Sequence, residues 1–168
     1  MRLQKSNLTE RIHKESLLEQ IRSEDENTIL LLEWSQLLEQ PLGWRATWML
    51  RQVLAKNDPR LKNHISAVLE RFPNFNESQK REWIKLLEHQ ETSDDEEGIL
   101  YDLCMLEWKN IHNHPALRAS AILVVFKILK KYPELANELN HLMSSDYLES
   151  LSPGIKRVII KNWNLIST

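Results

Sequence analysis

Glycine occurs only three times in 168 residues, at Gly43, Gly98 and Gly154. Phosphate-cradling loops and dinucleotide fingerprints need several glycines at short fixed spacing, so both are excluded. Tight hairpin turns also draw on glycine, and its scarcity argues against a β-rich fold. Cysteine occurs once, as Cys104, which rules out an intramolecular disulfide and a cysteine-paired zinc site. Cys104 stands in the apolar run Leu103-Cys104-Met105-Leu106 and reads as a small buried hydrophobe. Long apolar runs are missing too. The longest uncharged apolar stretch, Ala119 to Phe126, is less than half a membrane span. The opening segment MRLQKSNLTERIHKE is too polar for a signal-peptide core, so a cytoplasmic location is expected. There is no excess of positive charge either. The formal net charge is −2, without the global basic field of a strong nucleic-acid binder.

What is present is helical punctuation around apolar stripes. Hydrophobic residues make up 42% of the chain, enough for a packed core. Asn7-Leu8-Thr9-Glu10 and Ser93-Asp94-Asp95-Glu96 fit the capping box, in which a short polar side chain and a glutamate three residues on satisfy backbone N–H groups. Asp58-Pro59 and Ser152-Pro153 place a capping side chain before a proline at the first helical position. Leu61, Ile65, Val68, Leu69 and Phe72 fall on one helix face, and Leu135, Leu139, Leu142 and Met143 repeat that spacing. These signals predict about nine helices, near 8–22, 26–39, 43–56, 59–72, 77–90, 95–111, 115–131, 133–145 and 153–166. The helix from Pro115 carries Ile122-Leu123-Val124-Val125-Phe126, is apolar all round, and is expected to be covered on more than one side.

The chain also repeats itself at a spacing of 74 residues, give or take two. Leu32-Glu33-Trp34 returns as Leu106-Glu107-Trp108, Pro41 as Pro115, and Arg45-Ala46 as Arg118-Ala119. Pro59, Leu61 and Asn63 return as Pro133, Leu135 and Asn137. Lys80-Arg81 and Ile84-Lys85 return as Lys156-Arg157 and Ile160-Lys161. The copies run over 25–91 and 99–165, and each holds two helical hairpins. Half of the repeat is about 37 residues, close to the period of HEAT and armadillo units. A hairpin of that kind cannot bury its apolar stripe alone, so the expectation is a single domain, 1–168, built as an all-α superhelix of about four stacked hairpins.

Pro115-Ala116-Leu117-Arg118-Ala119-Ser120-Ala121 resembles the HEAT signature of a proline followed by an apolar-Arg-Ala turn, and Pro41-Leu42-Gly43-Trp44-Arg45-Ala46 resembles a second copy. The resemblance implies that Arg45 and Arg118 pair with a loop acid of a neighbouring hairpin. Gln40 and His114 stand where the aspartate before the proline is usual. More narrowly, residues 26–166 resemble small HEAT-like proteins of the Bacteroidetes, with a similar Trp-Arg-Ala-x-Trp segment, here Trp44 to Trp48, and a similar basic C-terminal helix. Such motifs carry fold and not activity.

Candidate chemistry is sparse. His112-Asn113-His114 offers two imidazoles but no third ligand, so no metal and no cofactor is expected. The six tryptophans, Trp34, Trp44, Trp48, Trp83, Trp108 and Trp163, are expected mainly in packing, with Trp34 and Trp108 at equivalent repeat positions. Asp94 to Glu97 opens a helix, where negative charge complements the dipole. Lys127, Lys130, Lys131, Lys156, Arg157 and Lys161 gather cations near the C-terminal end.

A solenoid exposes a groove lined by one helix of each hairpin. The first expectation is therefore a non-catalytic interaction or scaffolding module. Its partner would be another protein, and it would be a monomer or a homodimer. The helices near 26–39, 59–72, 95–111 and 133–145 would line the groove, with Arg60, His64, Arg71, Asn137 and His141 as contacts. The alternative is a nucleic-acid-binding or repair protein resembling the HEAT-like alkylpurine glycosylases. It requires exposed tryptophans beside an acid on a basic face.

Overall fold

The computed structural model describes residues 2–10 and 14–167, and among these no residue lies in a strand. The first compact unit, Met1–Glu96, holds α1 (Ser6–Thr9), α2 (Lys14–Arg22), α3 (Asp25–Trp34), α4 (Leu42–Val53), α5 (Pro59–Lys62), α6 (Ile65–Arg71) and α7 (Glu77–Leu87). The second, Glu97–Thr168, holds most of α8 (Asp94–Lys109), then α9 (Pro115–Leu129), α10 (Ala136–Leu139), α11 (Ser145–Leu148) and α12 (Pro153–Asn164). The division falls between the two repeat copies. Residues 11–13 of the helix expected over 8–22 lie outside the described residues. No helix among the described residues is long and apolar enough to cross a membrane.

Three of the four caps read from the sequence form. Ser93 and Glu96 make a reciprocal box: the Glu96 N–H donates to Ser93 Oγ at 3.3 Å and the Ser93 N–H to Glu96 Oε2 at 3.0 Å. Burial pushes the Glu96 carboxyl up, but hydrogen bonds from Ser66 and Ser93 outweigh it and leave it below its ordinary value. Asp58 accepts from the Arg60 N–H and Ser152 from the Ile155 N–H. The fourth is corrected. Asn7 lies inside α1, where its side chain accepts the N–H of Gln4 at 2.7 Å, so it closes the turn before the helix and does not cap one after it.

Three expected helices are broken. The stretch 8–22 is interrupted at Glu10, whose backbone is extended where α1 ends. The stretch 59–72 stops at Lys62 and resumes at Ile65, with the His64 N–H turning to the Leu61 carbonyl at 2.8 Å. Asn63 and His64, both weak helix formers, occupy the break. The stretch 133–145 falls into a 3-10 turn at Pro133–Leu135, the single turn of α10, and a second 3-10 turn at Asn140–Met143. There the Leu142 carbonyl accepts the indole N–H of Trp108 at 3.2 Å. A tertiary donor has taken an acceptor that a longer helix would use itself.

In the first unit α4 is central and packs against α1, α2, α3 and α7. It buries Leu42, Ala46, Met49 and Leu50, the stripe its 3.6-residue period predicts. In the second unit α9 packs against α12 and the 3-10 turn that follows α9. Leu117, Ala121, Ile122, Val124, Val125, Phe126, Ile128 and Leu129 are all buried, so α9 is covered round most of its circumference, as its composition requires. Cys104 is buried.

Candidate functional site

The repeat arginines are structural, but not in the way the resemblance implies. Arg118 is fully buried beneath its neighbours. Its Nε donates to the Trp108 carbonyl at 3.1 Å, Nη1 to Ser150 Oγ at 2.7 Å and Nη2 to the Tyr147 carbonyl at 2.6 Å. The guanidinium stands 4.6 Å from the centre of the Trp108 ring, which stacks on Tyr147 at 6.2 Å. Burial holds its pKa below the ordinary arginine value. Arg45 donates Nη1 to the carbonyls of Leu8 at 2.8 Å and Thr9 at 3.0 Å, where the short α1 ends. Among the described residues neither arginine has a carboxylate as a hydrogen-bond partner. The expected loop acid is replaced by main-chain oxygens, which a five-donor fork satisfies in the same way. His114, standing where the usual aspartate would be, does the capping itself: its Nδ1 accepts the Ala116 N–H at 3.2 Å.

A pocket of about 690 Å³ opens in the first unit, lined by α1, α2, α4, α7 and Glu10. Along α4, Trp44, Trp48 and Arg51 recur at i, i+4 and i+7, one stripe beside the buried one. From α7 come Arg81 and Lys85, four apart on a second stripe, with Glu82 between them. Lys14 from α2 lies 5.0 Å from the Trp48 ring centre, and Arg45 lies 5.6 Å from that of Trp44. Both indoles are half-buried and line the pocket. Leu8, Leu17 and Met49 supply the remaining apolar wall.

Glu82 is 2% exposed and is held on both oxygens, by Arg51 Nε at 2.8 Å and by Arg81 Nη2 at 3.1 Å. It therefore anchors two cations and is not poised as a free base. Lys85 is half-buried and makes no hydrogen bond or ion pair among the described residues. Burial lowers its pKa, and the charges of Arg81 and Arg51 push the same way, against Glu82 and Glu88.

A family model for the HEAT repeat domain matches residues 2–164. The chain belongs to the HEAT repeat domain family. No curated protein and no solved structure matches this HEAT domain.

The positions expected to line a groove fall away from the pocket. Arg60 is drawn in by Asp58, through Nε at 3.0 Å and Nη2 at 2.8 Å, and reaches Asp25 at 2.8 Å. That hydrogen bond from Arg60 holds the Asp58 carboxyl below its ordinary value. His64 is half-buried at the break between α5 and α6, and Arg71 is exposed at the end of α6. Asn137 and His141 are exposed in the second unit. Among the described residues no three histidine, cysteine or acidic side chains converge as a metal group would require. Of the cations near the C-terminal end, Lys131 is paired with Glu97.

The tryptophans divide. Trp83 and Trp108 are fully buried and donate their indole N–H groups to the Ser35 and Leu142 carbonyls. Trp163 packs on Phe126 at 5.7 Å. Trp44 and Trp48 face the pocket. The signal for that pocket is present in the sequence, as Trp44, Trp48 and Arg51 on one helical stripe and Arg81 with Lys85 on another. Its meaning depends on which stripe the neighbouring helices cover.

Proposed function

We propose that this HEAT domain is a non-catalytic interaction module of the cytoplasm, and that the Trp44–Trp48 pocket is where it engages a partner protein. The observation that carries the reading is a half-buried lysine that makes no hydrogen bond or close ion pair among the described residues, set among two half-buried indoles and four further cations. A bound anion would give that ammonium a hydrogen-bonded partner, which the described residues do not supply. Glu82, a carboxylate of the pocket wall, is neutralised by two arginines, and that arrangement favours binding over catalysis. Arg60, His64, Arg71, Asn137 and His141 are proposed as supplementary contacts.

The test is affinity capture of the full chain from native extract, with and without nuclease. A protein retained reproducibly after nuclease supports the module. A second reading, nucleic-acid binding, is favoured by one specific feature, the two indoles amid cations beside a carboxylate. Capture that vanishes with nuclease, or falls steeply with salt as counterion release demands, would replace the first reading with the second.

A further inference from the structure

Resting on the module reading, we infer that the ligand of the Trp44–Trp48 pocket is an acidic segment of the partner, in which a carboxylate lies next to an apolar side chain.

The charge balance comes first. Among the described residues five cations, Lys14, Arg45, Arg51, Arg81 and Lys85, line the pocket against two carboxylates, Glu10 and Glu82. The whole chain is acidic, with a formal net charge of −2, so this positive excess is local. Arg45, Arg81 and Lys85 recur in the second copy as Arg118, Arg157 and Lys161, but the indoles and Arg51 do not. With Arg45 matched to Arg118, the positions of Trp44, Trp48 and Arg51 become Leu117, Ala121 and Val124 in the second copy, all buried. With Arg81 matched to Arg157, Glu82 becomes Val158. The second copy keeps its fold without either indole and without the Arg51–Glu82 pair, so the solenoid does not require them.

The cations are also differently engaged. Arg45 spends Nη1 on the α1 carbonyls, and Arg51 spends Nε on Glu82. Lys85 spends nothing, and the lowered pKa of its ammonium records the burial it endures. An incoming carboxylate reaching Lys85, with Arg51 and Arg81 beside it, gives that ammonium the partner it lacks and makes charge-assisted hydrogen bonds. The indoles, Leu17 and Met49 then receive the apolar neighbour. Tryptophan faces suit that task because they bury a large area at low entropic cost.

The size and confinement of the site select a peptide over a polynucleotide. About 690 Å³ accommodates a few side chains. Polynucleotide affinity depends on many phosphate contacts spread along a track. Here the excess is gathered in one pocket of a net-acidic chain.

The experiment is a titration of the full chain followed by the indole N–H signals in proton–nitrogen correlation spectra, assigned with W44F and W48F. The probe is an eight-residue peptide of Asp, Glu and Leu. An Asn/Gln/Leu counterpart and a thymidine octanucleotide are titrated in parallel. The expected result is that the Trp44 and Trp48 signals move with the acidic peptide, while those of Trp83 and Trp108, already bonded to carbonyls, stay in place. Lys85→Gln should weaken the effect at least five-fold without lowering Tm, since Lys85 makes no bond within the fold. Three results would overturn the inference: no movement with the acidic peptide, equal movement with the neutral one, or movement only with the octanucleotide. A protein captured equally by wild type and by Lys85→Gln would keep the module reading and remove this one.

Discussion

Helices α3 and α8 occupy matching places in the two copies, α3 ending on Trp34 and α8 one residue past Trp108, yet their ends are closed by different side chains. In the first unit the Ser35 carbonyl, just past α3, accepts from Gln79 at 2.7 Å and from Trp83 at 3.2 Å, both on α7. In the second the Trp108 carbonyl, near the end of α8, accepts from Arg118 on α9 at 3.1 Å. Where α7 does the closing, the arginine of the central helix is released. Arg45 turns to α1 and stands at the edge of the pocket; its counterpart Arg118 is locked in the core. The indoles follow suit: Trp108 is buried under Arg118, while Trp34 is only half-buried. A single repeat position thus serves stability in one copy and borders the pocket in the other. The lesson is that repeat equivalence predicts backbone placement well and side-chain duty poorly.

The sharpest way to break that contrast is to truncate both arginines. Arg118→Ala removes the donor for two carbonyls and a hydroxyl and leaves a void beside the Trp108 ring. Buried acceptors left unpaired cost about 1–3 kcal/mol each, so the loss should be about 3 kcal/mol or more. Arg45→Ala, at a half-exposed site where water replaces the donor, should cost about 1 kcal/mol. Urea denaturation of the two variants measures the difference, and equal losses would show that the two copies use the arginine alike.

The glycines give the next contrast. A Cβ at Gly43 would stand against the Leu37 carbonyl oxygen and within 2.9 Å of both polar atoms of the Gln79 amide. Gly43 is the second residue of α4, as Ala116 is of α9, so the copies differ here because Gln79 reaches over α4 to close α3. Gly43→Ala should cost about 2 kcal/mol through backbone displacement and the disturbed Gln79 bonds. A neutral result in thermal melts would mean that α4 can shift without disturbing that closure.

These particulars mark how far the sequence could be read. The repeat, the all-helical class and three caps were legible because each rests on local spacing: Ser93 and Glu96 need only be three residues apart. Pro41 and Pro115 match at 74 residues but Arg45 and Arg118 at 73, and this slip has a local meaning, since Pro41 precedes α4 and Pro115 is the first residue of α9. The helix breaks were not legible. Leu142 leaves regular α-helix where its carbonyl meets an indole 34 residues away. The arginine partners were hidden for the same reason, because carbonyls leave no trace in residue identity. The pocket lay between. Trp44, Trp48 and Arg51 share a stripe, but indoles at helical spacing look the same whether covered, as Trp83 is, or half-buried, as Trp44 is.

A pH experiment sharpens the Asp58–Arg60 pairing: Pro59 and Pro133 match, but only the first copy supplies an aspartate before its proline, the second having Tyr132. The Asp58 carboxyl is held below its ordinary value by Arg60, so its contribution is complete above the unfolded value of about 3.9 and is lost as pH falls through the folded value. Asp58→Asn keeps the cap but not the charge. At pH 7 it should cost about 1 kcal/mol, discounted because Arg60 is partly exposed. The gap between wild type and variant should close below about pH 4. A gap unchanged at pH 3 would assign the cost to lost packing.

The smallest effect runs the other way. Gly98 lies inside α8, and a Cβ there would meet nothing within 4 Å. Its φ is not in the left-handed region, so alanine fits the native backbone without strain. Glycine in a helix interior is less favourable than alanine by up to about 1 kcal/mol, largely because the unfolded chain has more freedom to lose. Gly98→Ala should therefore stabilise by about 0.5 kcal/mol, visible as a modest rise in Tm. The same exchange is harmful at Gly43 because one glycine makes room for a neighbouring carbonyl and the other faces open space. A loss of stability in Gly98→Ala would mean that α8 needs flexibility near residue 98, close to where the first compact unit gives way to the second.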